Sequence, residues 1–127
     1  FSLVFLDIDN FKSINDKYGH LEGDNALRDM ARLIEKNLKS TDTLARWGGE
    51  EFVIIMPLTP MELAREVTEK FRKIIADEQF YVVGSITCSF GISEFKKGDN
   101  AQSIVLRADQ AMYKAKAKGR NRVEVAE

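Results

Sequence analysis

The chain has 127 residues, enough to bury one hydrophobic core but not two of ordinary size. Hydrophobic residues at 44% and charged residues at 31% describe a soluble globular domain, not a disordered segment. Nineteen basic against twenty acidic residues leave a net charge of −1, which argues against electrostatics-led binding to long nucleic acid or to an anionic membrane. One cysteine, Cys88, excludes an internal disulfide and favours a reducing, cytoplasmic compartment; with a single histidine, His20, the usual multi-ligand zinc site is excluded too.

Leu3 to Ile8 is a continuous apolar run and predicts a central strand buried on both faces. The chain reads as starting inside that strand, so the expectation is a fragment of something longer. A short helix is predicted from Phe11 to Tyr18, stopped by Gly19. Leu27, Met30, Ala31, Ile34 and Leu38 then recur at three and four residues, one apolar stripe on a second helix. Thr43 to Trp47 and Phe52 to Met56 are β-prone, and Gly48-Gly49 between them predicts a tight hairpin. Beyond Pro57 and Pro60, Ala64, Val67, Phe71, Ile74 and Ile75 mark a third helix. Phe80 to Val83 and Ile86 to Ile92 read as strands. A last helix is predicted from Gln102 to Lys118, ended by Gly119, with a short strand from Arg122 to Val125. This order predicts an α+β domain over residues 1–127: a mixed, mostly antiparallel sheet flanked by helices, in the ferredoxin-like or polymerase-palm manner.

Asp7 and Asp9 stand where the first strand ends, on one face by alternation. Asp9 directly precedes a helix and reads as its cap. Asp7 has no capping duty, and a lone buried carboxylate is unfavourable unless a cation joins it. Glu50 and Glu51 follow the Gly-Gly pair; a hairpin paired beside the first strand brings one of them to Asp7. Clustered acids of this kind suit a hard divalent cation such as Mg²⁺ or Mn²⁺, although two solvated glutamates on a surface turn are the plain alternative. Asn10, Phe11 and Lys12 open a helix behind Asp7, where free backbone N–H groups suit a phosphate. Lys114, Lys116, Lys118, Arg120 and Arg122 place five cations in nine residues. Such a run complements a helix C-terminus, but Lys116 and Arg120, four apart, also share a helix side as a pyrophosphate clamp requires. Together these features describe a nucleoside triphosphate site.

Gly48-Gly49-Glu50-Glu51-Phe52 resembles the signature of GGDEF-domain diguanylate cyclases in its GGEEF form. Asp7 to Asp16 (DIDNFKSIND) with Gly19-His20 and Gly23-Asp24 is similar to a second motif of that family, and Ala115 to Asn121 (AKAKGRN) to a third. The resemblance spans almost the whole chain. It implies a nucleotide-cyclase-like palm and condensation of two GTP, one per subunit of a homodimer, into cyclic di-GMP and two pyrophosphates. By the same resemblance Asp7, the Ile8 carbonyl and Glu50 are the ligands of two metal ions, Mg²⁺ or Mn²⁺, and Glu50 deprotonates the 3′-hydroxyl. Glu51 matches a further signature acid, and Lys12, Lys116 and Arg120 match the holders of the β- and γ-phosphates. Asn15 and Asp24 match the guanine readers, with His20 near the same nucleoside. A carboxylate accepts from guanine N1–H and its exocyclic amine but meets a lone pair on adenine N1. As plain alternatives, Asn15 is an exposed helix residue and Asp24 a helix N-cap.

One departure is visible. Where the family carries an inhibitory Arg-x-x-Asp motif, this chain has Lys39-Ser40-Thr41-Asp42. Lysine offers a point charge where arginine offers two parallel donors, so a degenerate inhibitory site at Lys39 and Asp42 is expected. The family's usual helix with its Asp-x-Leu-Thr segment is absent, which fits a C-terminal piece of a signalling protein whose sensory domain lies upstream. The alternative function is an inactive domain that binds GTP or cyclic di-GMP; nucleic-acid and membrane partners are not expected.

Overall fold

A computed structural model describes residues 1–127. The elements are β1 (Ser2–Ile8), α1 (Phe11–Tyr18), α2 (His20–Glu35), β2 (Thr43–Gly48), β3 (Glu51–Met56), α3 (Met61–Asp77), β4 (Cys88–Glu94), α4 (Ala101–Ala117) and β5 (Arg122–Val125). They form a five-stranded sheet in the order β2-β3-β1-β4-β5. All pairs are antiparallel except β4 with β5. This is the α+β architecture that the sequence pattern predicts.

β1 lies at the centre, and all seven of its residues are buried. Its apolar run serves two cores at once. Val4, Leu6 and Ile8 pack with Leu27, Met30 and Ile34 of α2 and with Phe71 and Ile75 of α3. Leu3 and Phe5 turn to the other face and meet Ile104, Ala108 and Met112 of α4. A strand clad on both sides needs apolar residues at every position, which is why its sequence shows no alternation. Gly91 of β4 lets α4 lie directly on the sheet: a Cβ there would sit 2.1 Å from the Ala108 carbonyl oxygen. That close approach brings the end of α4 over the end of β1.

Two expectations need correction. Phe80 to Val83 is no strand but a tight loop, in which Phe80 bridges only Gly84 and Val82 takes φ 69°. Phe80 and Val83 are buried, so their apolar character anchors the loop in the core instead of building a strand. The following strand begins at Cys88, not Ile86. In the hairpin, the strands run to Gly48 and Glu51, so Gly49 (φ 50°) and Glu50 are the turn residues. The register slips between Arg46 and Gly48. No helix is long and apolar enough to cross a membrane.

Candidate active site

β1 ends, β3 and β4 begin and α4 ends at one edge of the sheet, and the residues singled out for chemistry gather there. Asp7 is register partner to Glu51 across the β1–β3 pair and to Ser89 across the β1–β4 pair. Glu51 therefore shares the Asp7 face, while Glu50 stands on the turn just outside it. Asp7 is 2% exposed. Its Oδ2 accepts from Lys116 Nζ at 2.5 Å, and its Oδ1 is buried with no hydrogen-bond partner. Burial pushes the Asp7 carboxyl up to about 6, against the pull of Lys116 and with the help of Asp9 and Glu50. Glu51 is raised as well, first by burial and then by Asp109 and Glu50.

An unpaired, buried anionic oxygen is the strongest sign here of a cation-binding position. The hard oxygen donors on hand, Asp7, the turn acid Glu50 and the adjacent Ile8 carbonyl, fit a divalent ion such as Mg²⁺. No group of three His, Cys, Asp or Glu side chains assembles there.

Asp9 is not a helix cap. The N-cap of α1 is Asn10, in left-handed conformation and with no side-chain cap bond. Asp9 instead accepts from Thr87 Oγ1 (2.7 Å), Ser89 Oγ (2.5 Å) and the Asn121 N–H (2.9 Å). The strand β4 offers donors on the face that Asp9 shares with Asp7, and these outcompete the helix start. The Lys116–Arg120 pairing by helix spacing also needs correction. α4 stops at Ala117, and a Schellman turn follows, with Gly119 N–H on the Lys116 carbonyl and Arg120 N–H on the Ala115 carbonyl. Arg120 (φ 65°) thus leaves from a left-handed turn, not from the helix side that carries Lys116.

Asn10, Phe11 and Lys12 start α1 directly behind these acids, with Lys12 exposed. Asn15 is half-buried, not exposed, and its Oδ1 lacks a partner where α1 lies against Gly23 of α2. Gly19, not Asp24, is the N-cap of α2. Asp24 is exposed and, with Leu27, Arg28, Ala31, Arg46 and Phe52, lines an open cleft of about 290 Å³. His20 begins α2 on the surface. Arg46 escaped the sequence reading: its guanidinium donates twice to the Gly49 carbonyl, at 2.9 and 2.5 Å, and so braces the turn that presents Glu50. An arginine two residues before a Gly-Gly turn was the available signal. Lys39 and Asp42 lie at the far end of β2, roughly 17 Å away along the strand. The Lys39 N–H donates to Asp42 Oδ2 at 3.1 Å, a local turn bond.

Comparison with known proteins agrees with the fold. The family described as diguanylate cyclase, GGDEF domain, matches residues 1–122. Diguanylate cyclase DgcP of Pseudomonas aeruginosa is 47% identical over 98% of this chain, and diguanylate cyclase VdcA of Vibrio cholerae 44% over 96%. The chain spans only 19% and 38% of those two proteins. Among solved structures, the active GGEEF domain of a Vibrio cholerae diguanylate cyclase superposes with TM-score 0.93 at 38% identity, covering 99% of this chain and 82% of that one. The GGDEF domain of DgcB from Caulobacter crescentus, solved with c-di-GMP, gives 0.94 at 37%, covering 98% and 77%. The chain belongs to the GGDEF-domain diguanylate cyclase family.

Proposed function

We propose that this domain condenses two GTP molecules into cyclic di-GMP, with release of two pyrophosphates, at the interface of a homodimer. The observation that carries the reading is the buried, half-satisfied Asp7 carboxylate beside Lys116, at the strand end that the Glu50 turn overhangs. Asp7, the Ile8 carbonyl and Glu50 hold Mg²⁺ or Mn²⁺, two ions per site. When bound, the ions neutralise the triphosphate and make the 3′-hydroxyl more acidic.

The chain's own residues do the rest. Asn15 and Asp24 bind the guanine edge, with His20 near the nucleoside. The first amides of α1, at Asn10 and Phe11, together with Lys12, Lys116 and Arg120, hold the β- and γ-phosphates. Glu50 takes the proton from the 3′-hydroxyl of the nucleotide on the opposing subunit, and that oxygen attacks the α-phosphorus in line. The bond from the α-phosphorus to the bridging oxygen breaks, and the cations stabilise the charge that builds on the departing pyrophosphate. Glu51 supports the same charge balance from the adjacent strand position. Lys116 turns from Asp7 to the phosphates as the nucleotide arrives. A partner module upstream brings two copies together in the cytosol, and Lys39 with Asp42 forms at most a weakened product site.

Purified protein, alone and fused to a dimerising module, is incubated with GTP and Mg²⁺ and the products are separated by chromatography. Cyclic di-GMP with two equivalents of pyrophosphate is expected from the fusion. A dimeric fusion that binds GTP and yields neither product would make the domain a nucleotide-binding signalling module instead.

A further inference from the structure

We propose that Asp9 is a positioning residue for Arg120, fixing the turn beyond α4 so that its guanidinium faces the terminal phosphates. The inference rests on the reading of Arg120 as a phosphate ligand. Asp9 is 5% exposed and has no cation within ion-pair distance, yet it accepts three hydrogen bonds of 2.5 to 2.9 Å. Two of its donors are Thr87, just before β4, and Ser89, near the start of that strand. The third is the backbone N–H of Asn121, 112 residues along the chain.

That third bond falls where the backbone most needs support. Gly119, Arg120 and Asn121 take φ of 122°, 65° and 46°, three positive values in succession, and two of them belong to residues with side chains. L-residues rarely hold such a conformation unless neighbouring structure over-determines it. The capping bonds from Gly119 and Arg120 reach back only to α4 itself. Two contacts tie the turn to the rest of the protein before β5 begins: Asn121 N–H to Asp9, and Arg72 to the Asn121 side chain at 3.0 Å. The Arg120 guanidinium makes no hydrogen bond or ion pair; the one side-chain bond to this residue is Arg122 Nε on its carbonyl, at 3.4 Å. The guanidinium's direction is therefore set by the backbone beneath it, which Asp9 anchors. Two rungs result between the end of β1 and the end of α4, Asp7 with Lys116 and Asp9 with the Arg120 turn.

The test compares a GTP analogue with a methylene bridge between the α- and β-phosphates against GMP, by calorimetry with Mg²⁺. The two ligands share guanine and differ in the phosphates that Arg120 faces. Asp9→Asn is expected to weaken the triphosphate analogue by roughly tenfold, as for one displaced charge-assisted contact, and GMP by less than about twofold. Arg120→Ala should show the same pattern, and the double variant should be no weaker than Arg120→Ala alone. Amide exchange at Asn121 should quicken in Asp9→Asn. Equal weakening of both ligands, or losses that add in the double variant, would overturn the inference. If Arg120→Ala fails to separate the two ligands, the phosphate role of Arg120 fails first. Should Asp9→Asn not fold, Thr87→Val, which removes the hydroxyl aiming Oδ2, decides by the same comparison.

Discussion

Around Asp9 three donors close on one carboxylate; around Asp7, two positions earlier on the same strand, one oxygen takes Lys116 and the other takes nothing. Both side chains are buried, and both face the α4 side of the sheet. What separates them is satisfaction. A buried acid with both oxygens bonded to the protein is a fastening, with little capacity left for a ligand. A buried acid with a spare oxygen carries an expense in stability that a bound cation or a proton relieves. Their shared strand end therefore carries one fully engaged carboxylate and one with a free oxygen, although the sequence presents them as a pair.

Removing the turn acid beside Asp7, its proposed partner in holding the cation, should have the largest effect. Glu50→Ala is expected to abolish cyclic di-GMP synthesis while leaving the fold intact, since Glu50 stands on a half-exposed turn and its loss opens no core cavity. Circular dichroism and product chromatography check this; turnover near the wild-type rate breaks the assignment.

The stability side of the comparison follows from the Asp7 carboxyl. Burial raises it from the ordinary 3.8 to about 6. Between those values the folded protein holds a proton that the unfolded chain has released, so stability falls as pH rises from about 4 to about 6. Above 6 the full penalty is present; below 4 it is absent. In chelator-treated protein, Asp7→Asn should therefore gain roughly 3 kcal/mol at pH 7.5 and almost nothing at pH 4. Thermal unfolding at the two pH values measures it, and a variant less stable than the wild type at pH 7.5 contradicts it.

Asp24→Ala should lower the preference for GTP over ATP by about 10- to 100-fold, the size expected when a polar reader of a base edge is lost. Competition binding gives the ratio; no change would return Asp24 to a solvated surface role. A smaller effect is expected at the other end of β2. Lys39→Arg should strengthen inhibition by added cyclic di-GMP by roughly tenfold, a bidentate guanine contact being worth about 1–3 kcal/mol. Tight inhibition of the wild type that survives Lys39→Ala would place product binding elsewhere.

Much of this arrangement was legible in the sequence, for physical reasons. A strand buried on both faces must be apolar throughout, so β1 was visible. Gly19 marked the end of α1, and the Gly-Gly turn marked the hairpin. What stayed hidden depends on contacts between distant parts of the chain. The partners of Asp9 lie 78, 80 and 112 residues away, and nothing near Asp9 announces them. Phe80 to Val83 reads as a strand because burial in a loop and burial in a sheet select the same residues. The Lys116–Arg120 spacing suggested a shared helix side because the cation run continues past the point where α4 ends.

Manganese binding without nucleotide, followed by electron paramagnetic resonance, tests the distinction between the two acids most directly. Wild type, Asp7→Asn and Asp9→Asn are titrated with Mn²⁺ side by side. The account predicts that Asp7→Asn loses roughly tenfold or more in affinity, as for removal of a charged ligand, while Asp9→Asn binds as the wild type does. Loss of Mn²⁺ by Asp9→Asn with retention by Asp7→Asn would contradict it.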